Sequence, residues 1–199
     1  MQAVIMAGGK GTRLRAITND EIPKPMVPIA GKPILQWQIE TLRRSGVTDI
    51  LLITGYLAIV ATNQPVVARG MCGMTDVEEI HRKLATLLGQ EGAYLDGIVF
   101  CPHHPDKGYP EENPAYKIPC RCRKPDTGML TACAEAYNID LAQSWMVGDT
   151  TVDIQTGLNA GTHTALVLTG EAGKDGKYDV QPQRIGADLL DVVKQIIGG

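Results

Sequence analysis

The 199-residue chain is poor in aromatic side chains, with one Phe, two Trp and six Tyr. A surface that stacks unpaired bases needs several aromatic faces, so nucleic-acid binding of that kind is not expected. An excess of either charge is also lacking: 19 Lys and Arg oppose 22 Asp and Glu, for a formal net charge of −3. Neither nucleic acid nor an anionic membrane is attracted in general, and any basic site must be local. No apolar run approaches the ~20 residues that span a bilayer. The opening MQAVIMAGGKG has no basic n-region and soon turns glycine-rich, which does not read as a secretory signal. These absences imply a soluble globular protein in the cytoplasm, where thiols stay reduced. Five cysteines, an odd number, suit metal binding better than a disulfide framework.

What is present is concentrated between Cys101 and Lys124. Cys101-Pro-His103 opens the stretch and Cys120-Arg-Cys122 closes it. Zinc takes four Cys and His ligands, and paired clusters separated by a loop are its usual arrangement. Cys101, His103, Cys120 and Cys122 therefore form a candidate Cys₃His set, closed and structural rather than catalytic. His104 is the alternative fourth ligand, and the Cys-x-His form is preferred. Arg123 and Lys124 follow the last cysteine directly, so a metal-folded loop would present two cations to a site. Cys133 lies among apolar helical positions and reads as core; Cys72 has no evident role.

Periodicity and breakers place the rest. A strand at Ala3–Met6 runs into Ala7-Gly8-Gly9-Lys10-Gly11-Thr12-Arg13, either an anion cradle of backbone N–H groups or a plain tight turn. The prolines of residues 22–28 forbid a helix there. A helix over 33–44 and a strand over 49–54 follow. Ile59–Ala61 leads to Thr62-Asn63-Gln64-Pro65, which can hold phosphate oxygens through neutral donors or form a polar turn. Thr75-Asp76-Val77-Glu78 predicts a capping box, with Val77, Ile80, Leu84, Leu87 and Leu88 as the apolar face behind it. Strands are expected at 97–100, 143–147 and 164–168, and helices at about 127–137, 154–160 and 187–197. The last helix would bury Leu189, Leu190, Val193, Ile196 and Ile197. Asp149 stands just beyond a strand, where α/β sheets keep their ligands.

AGGKGTRL followed by PKPMVPIAGKPIL resembles the start of the sugar-nucleotidyltransferase family. The resemblance implies a triphosphate held by Gly8, Gly9, Gly11, Thr12 and Arg13, with Lys24 as the lysine of the PKP motif. It stops near Leu57.

From Ile59 on, TNQPVVARG, CPHH with CRCRKP, the helix beginning GML, and SWMVGDTTVD resemble the haloacid-dehalogenase-type phosphatases. They are most similar to the zinc-loop subgroup that acts on D-glycero-D-manno-heptose 1,7-bisphosphate or histidinol phosphate. That resemblance implies Thr62 as the hydroxyl that binds the transferring phosphoryl group, with Asn63 and Gln64 beside it. It implies Lys124 as the neutralising cation, Arg123 in substrate recognition and Asp149 as the Mg²⁺ ligand. Asp153 would orient either the outer shell of the metal or Lys124. Structural Zn²⁺ and catalytic Mg²⁺ are the expected cofactors, and a small sugar phosphate the expected partner, with no nucleic acid and no membrane. The oligomeric state is left open.

The family's nucleophilic Asp and its acid/base partner form an Asp-x-Asp pair, and no Asp-x-Asp occurs in the chain. The expected organisation is thus an incomplete nucleotidyltransferase-like segment at 1–58, then a phosphatase-type domain at 59–199 without its first motif. Ala3–Met6 could instead supply the central strand of the second part. The expected fold is α/β: a Rossmann-like parallel sheet flanked by helices, haloacid-dehalogenase-like, with a zinc-bound loop. Three activities remain in view: a sugar-bisphosphate phosphatase with doubtful turnover, a sugar-phosphate nucleotidyltransferase, and a non-catalytic sugar-phosphate-binding module.

Overall fold

A computed structural model describes residues 2–6, 28–45, 49–53 and 56–198, with burial assigned for 30–45 and 56–198. Gly8, Gly9, Gly11, Thr12, Arg13 and Lys24, the expected triphosphate contacts, lie outside the described residues. The chain forms two compact units: residues 1–60 with 78–98, and residues 61–77 with 99–199.

In the first unit β1 (Gln2–Met6) pairs in parallel with β4 (Asp49–Ile53), Gln2 opposite Asp49. Between them come the short antiparallel pair β2 (Pro28–Ile29) and β3 (Lys32–Pro33) and the helix α1 (Ile34–Arg44). The β1–β4 sheet has two strands, so among the described residues Ala3–Met6 find their partner within their own segment. Arg43 and Arg44 occupy the last turn of α1, where cations meet the negative end of the helix dipole. Lys32 Nζ lies 2.9 Å from both Glu40 carboxylate oxygens and 4.9 Å from the Trp37 ring centroid, tying the β3 hairpin to the exposed face of α1.

β5 (Ile59–Asn63) pairs with β6 (Gly97–Cys101), and the helix α2 (Met74–Gln90) lies between them in sequence. The expected capping box at Thr75 is not formed. The helix begins at Met74, two residues earlier than that box implies, and Asp76 Oδ2 accepts from Gly73 N at 2.8 Å. One carboxylate reaching back over the first turn satisfies an otherwise orphaned N–H. The apolar face of α2 is only partly covered. Val77 is buried, but Ile80, Leu84 and Leu87 are 62%, 38% and 49% exposed. Period shows that residues share a helix face, and says nothing about whether anything covers it.

The second unit holds a parallel three-stranded sheet in the order β7 (Trp145–Gly148), β8 (His163–Val167), β9 (Arg184–Gly186). Register sets Trp145 opposite His163, and their rings stack at 4.8 Å. Helices α3 (Gly128–Tyr137), α4 (Thr151–Ala160) and α5 (Leu189–Ile197) complete the unit. Asn138 ends α3 in the left-handed conformation, which asparagine tolerates at a helix end. Ala165, Val167 and Val192 form one buried cluster; Cys101, Met129 and Leu130 form another, against which Cys120, Cys122 and Met146 pack. Cys133 is buried in α3 as expected. Leu189, expected in the buried stripe of α5, is 60% exposed; it stands in the first turn, next to the cap Asp188. No described helix is long and apolar enough to cross a membrane.

Candidate active site and metal centre

The candidate metal cluster grows out of the end of β6. Cys101 is the last residue of that strand and fully buried, so one ligand is set by the sheet itself. Cys101 Sγ lies 3.7 Å from His103 Nδ1, 3.4 Å from Cys120 Sγ and 3.1 Å from Cys122 Sγ. Cys122 Sγ closes the figure at 3.3 Å to Cys120 Sγ and 3.4 Å to His103 Nδ1. All four ligand atoms lie within 4.8 Å of one another. A tetrahedron with metal–sulfur bonds of ~2.3 Å has edges of ~3.8 Å, so small outward shifts of the side chains would seat the ion. All five cysteines are free thiols. Burial pushes the Cys101 thiol up, and its hydrogen bonding with Cys122 adds to this. Three thiols and an imidazole packed this closely suit a cation that draws off their protons.

His104 is not part of this set. It is buried, with its ring edge-on to Tyr109 at 6.0 Å and Nε2 3.4 Å from Arg69 Nη2. Burial, then the charge of Arg123, holds its pKa below the usual imidazole range. Neutral His104 accepts from Arg69 through Nε2 in the tautomer this contact requires.

The residues after the cluster are held from two sides. Asn63, at the end of β5, binds the Lys124 backbone twice: Oδ1 accepts from Lys124 N at 3.0 Å and Nδ2 donates to Lys124 O at 3.2 Å. Gln64 N donates to Cys101 O at 2.8 Å, and Gln64 Nε2 donates to Thr62 Oγ1 at 3.2 Å. The Thr62 oxygen thus accepts from Gln64, which leaves its O–H to donate elsewhere. Asn63 and Gln64 act here as holders of Lys124 and Thr62. Arg123 Nη1 donates to His103 O at 3.1 Å, joining the cation to the backbone of a metal ligand.

Lys124 Nζ reaches Asp153 Oδ1 at 2.6 Å, with side chains 14% and 7% exposed. Asp153 is therefore in contact with Lys124, one of its two expected partners. Its other oxygen accepts from Thr150 N at 3.2 Å and Thr150 Oγ1 at 2.7 Å, while Thr150 Oγ1 accepts from Asp153 N. This is a capping box on α4, and Thr150-x-x-Asp153 is the sequence signal for it.

Asp149 follows β7 directly. Its Oδ2 accepts from Glu171 N at 2.9 Å, and its carbonyl accepts from Gly173 N at 2.7 Å. Gly170 lies so close, at φ +68°, that a Cβ there would collide with the Asp149 carboxylate. A cavity of about 310 Å³ lined by Gly148, Asp149, Thr169, Gly170 and Leu189 opens beside it. Its position at the carboxyl ends of β7 and β8 is the usual ligand position of parallel sheets.

Asp175 lies in the polar stretch Lys174-Asp175-Gly176-Lys177. It accepts from Thr151 N at 2.6 Å and Thr151 Oγ1 at 2.8 Å, from 24 residues away. Burial would raise its pKa, but these Thr151 bonds outweigh it and hold the carboxyl below the usual range. Only the folded chain could reveal this contact, because no local spacing encodes it.

Comparison with known proteins follows this geometry. The family profile described as HAD-hydrolase-like matches residues 121–192, and that described as Nucleotidyl transferase matches residues 2–67. The chain is 36% identical over 144 residues to D-glycero-beta-D-manno-heptose-1,7-bisphosphate 7-phosphatase of Pseudomonas putida, covering 72% of this chain and 76% of the relative. It is 40% identical over 114 residues to the D-glycero-alpha-D-manno-heptose-1,7-bisphosphate 7-phosphatase of Burkholderia mallei, covering 57% and 58%. Among solved structures, D,D-heptose 1,7-bisphosphate phosphatase from B. bronchiseptica, in complex with magnesium and phosphate, matches with a TM-score of 0.57 at 29% identity. That match covers 100% of this chain and 99% of the other. With 36% identity to the Pseudomonas putida relative over 76% of its length, the chain belongs to the D-glycero-D-manno-heptose-1,7-bisphosphate phosphatase family of HAD-like hydrolases.

Proposed function

We propose that this chain binds a sugar bisphosphate of the D-glycero-D-manno-heptose 1,7-bisphosphate type and hydrolyses it slowly, in the cytoplasm. The observation that carries this is the linked chain Thr62–Gln64, Asn63–Lys124–Asp153 and Thr150, next to Asp149. These contacts support a site with a hydroxyl, an ammonium and a carboxylate near the carboxyl ends of the strands. The phosphoryl group would accept from the Thr62 hydroxyl and lie against Lys124, whose ammonium neutralises charge that grows in transfer. Asp149 would hold Mg²⁺, which supplies further charge neutralisation. Arg123 would recognise the remainder of the substrate, and a structural Zn²⁺ at Cys101, His103, Cys120 and Cys122 would keep Arg123 and Lys124 in place. Asp153 sets the position of the Lys124 ammonium and closes the α4 cap.

The organisation proposed is a nucleotidyltransferase-like segment over 1–58 and a phosphatase-type domain over 59–199. The phosphatase mechanism requires an Asp-x-Asp pair, and the sequence contains none, so turnover should fall far below that of a relative with the pair. Phosphate release from the heptose bisphosphate, with and without Mg²⁺, tests this: slow release is the expected result. Rapid release abolished by Asp149→Asn would show that another carboxylate serves as nucleophile. The match of residues 2–67 to nucleotidyl transferases favours a second reading, sugar-nucleotide synthesis. Nucleotide turnover lost on Arg13→Ala would establish it in place of the first.

A further inference from the structure

The metal cluster fixes only the base of its loop. Cys101, His103, Cys120 and Cys122 leave the arch from His104 to Pro119 to be held by other means. Within the arch, Glu112 Oε1 accepts from Gly108 N at 2.7 Å and Tyr109 N at 3.0 Å. Lys117 Nζ lies 3.1 Å from the same oxygen, off-line for a hydrogen bond, and 5.5 Å from the Tyr109 ring centroid. These contacts shape the arch without attaching it to the rest of the unit.

The attachment comes from residues 65–70, which directly follow Thr62–Gln64. Asn113 N donates to Ala68 O at 3.0 Å. Gly70, at φ +71°, is pressed against the arch so closely that a Cβ there would overlap the Glu111 carbonyl; only glycine meets both conditions. Between these two backbone contacts, the Arg69 guanidinium lies 4.4 Å from the Tyr109 ring centroid and its Nη2 3.4 Å from His104 Nε2. A cation this close to an aromatic face and partly desolvated is a strong surface contact.

Resting on the function proposed above, we infer that Arg69 is a positioning residue: through Tyr109 it locks the tip of the metal-bound arch onto the segment carrying Thr62, which fixes the reach of Arg123 toward substrate. The arch then has two anchors, the metal at its base and the Arg69–Tyr109 contact at its tip. Metal alone would hold the base of the arch and leave its tip undocked, next to the His103–His104 backbone that Arg123 binds.

The test uses the full zinc-loaded chain and four forms: wild type, Arg69→Gln, Tyr109→Leu and Tyr109→Phe. Hydrogen exchange over residues 104–119 reads the docking, and calorimetry with D-glycero-D-manno-heptose 1,7-bisphosphate and Mg²⁺ reads the consequence. Exchange about tenfold faster and binding about tenfold weaker in Arg69→Gln and Tyr109→Leu is expected. Zinc content should not change, and Tyr109→Phe, which keeps the ring face, should match wild type. Unchanged exchange in both disruptive variants would overturn the clamp, and faster exchange with unchanged binding would overturn its positioning role. A wild type that binds no sugar phosphate would instead overturn the proposed function and the positioning role with it, and would leave the exchange arm to judge the clamp alone.

Discussion

Replacing Asp153 with Ala removes one carboxylate that serves two elements. One oxygen pairs with Lys124 at 2.6 Å, and the other closes the α4 capping box with Thr150. With side-chain exposures of 14% and 7%, the pair is far from the screened surface regime, and removing one member strands a buried ammonium. Such breaks cost about 3–5 kcal/mol, and a lost cap about 1 kcal/mol. Both terms run through the same carboxylate and are not independent, so a total of roughly 4 kcal/mol is expected. Trp145 in β7 reports on this unit by fluorescence once Trp37, in α1, is replaced by Phe. With a urea dependence of about 2 kcal/mol per M, the unfolding midpoint should fall by about 2 M. Pairing Asp153→Asn with Lys124→Met removes both charges and should recover more than half of that loss, because an uncharged pair has no stranded ion. A midpoint shift below ~0.5 M in Asp153→Ala, or no recovery in the double variant, would refute the view that this pair is buried and mutually dependent.

Further outcomes follow from other parts of the site. Zinc analysis should find one ion per chain, and Cys122→Ser should lose it, since Cys122 Sγ touches the other three ligand atoms; retention of full zinc content would show that the four do not form the site. Asp175→Asn should destabilise α4 at neutral pH and reduce acid sensitivity. The folded-state pKa of Asp175 is depressed, so its contribution is present above the unfolded value of about 3.9. It is lost as pH falls through the lower folded value. Equal stability of wild type and Asp175→Asn at neutral pH, or a stability gap that does not close as pH falls through that range, would contradict the assignment.

The metal centre was legible because its chemistry is local: two pairs of soft ligands with one-residue spacers, and two cations directly behind. The place of Asp149 was legible from the apolar strand before it. Contacts between distant segments were not. Asn63 and Lys124 are 61 residues apart, and Arg69 meets His104 across 35; no periodicity encodes either pairing. The exposed Ile80, Leu84 and Leu87 show the converse failure. Their spacing correctly announced one helix face, but burial depends on a neighbouring surface that helix spacing cannot reveal. At Thr75 a valid capping pattern lost to Asp76, whose carboxylate reached Gly73 N–H.

The central claim is that Thr62, Lys124 and Asp149 form a sugar-phosphate site. Titration calorimetry of D-glycero-D-manno-heptose 1,7-bisphosphate into the zinc-loaded chain with Mg²⁺ tests it most directly. Saturable one-to-one binding, weakened at least about tenfold by Thr62→Ala and by Asp149→Asn with zinc content and fold unchanged, is the predicted result. No binding by the wild type, or equal affinity in all three proteins, would contradict it.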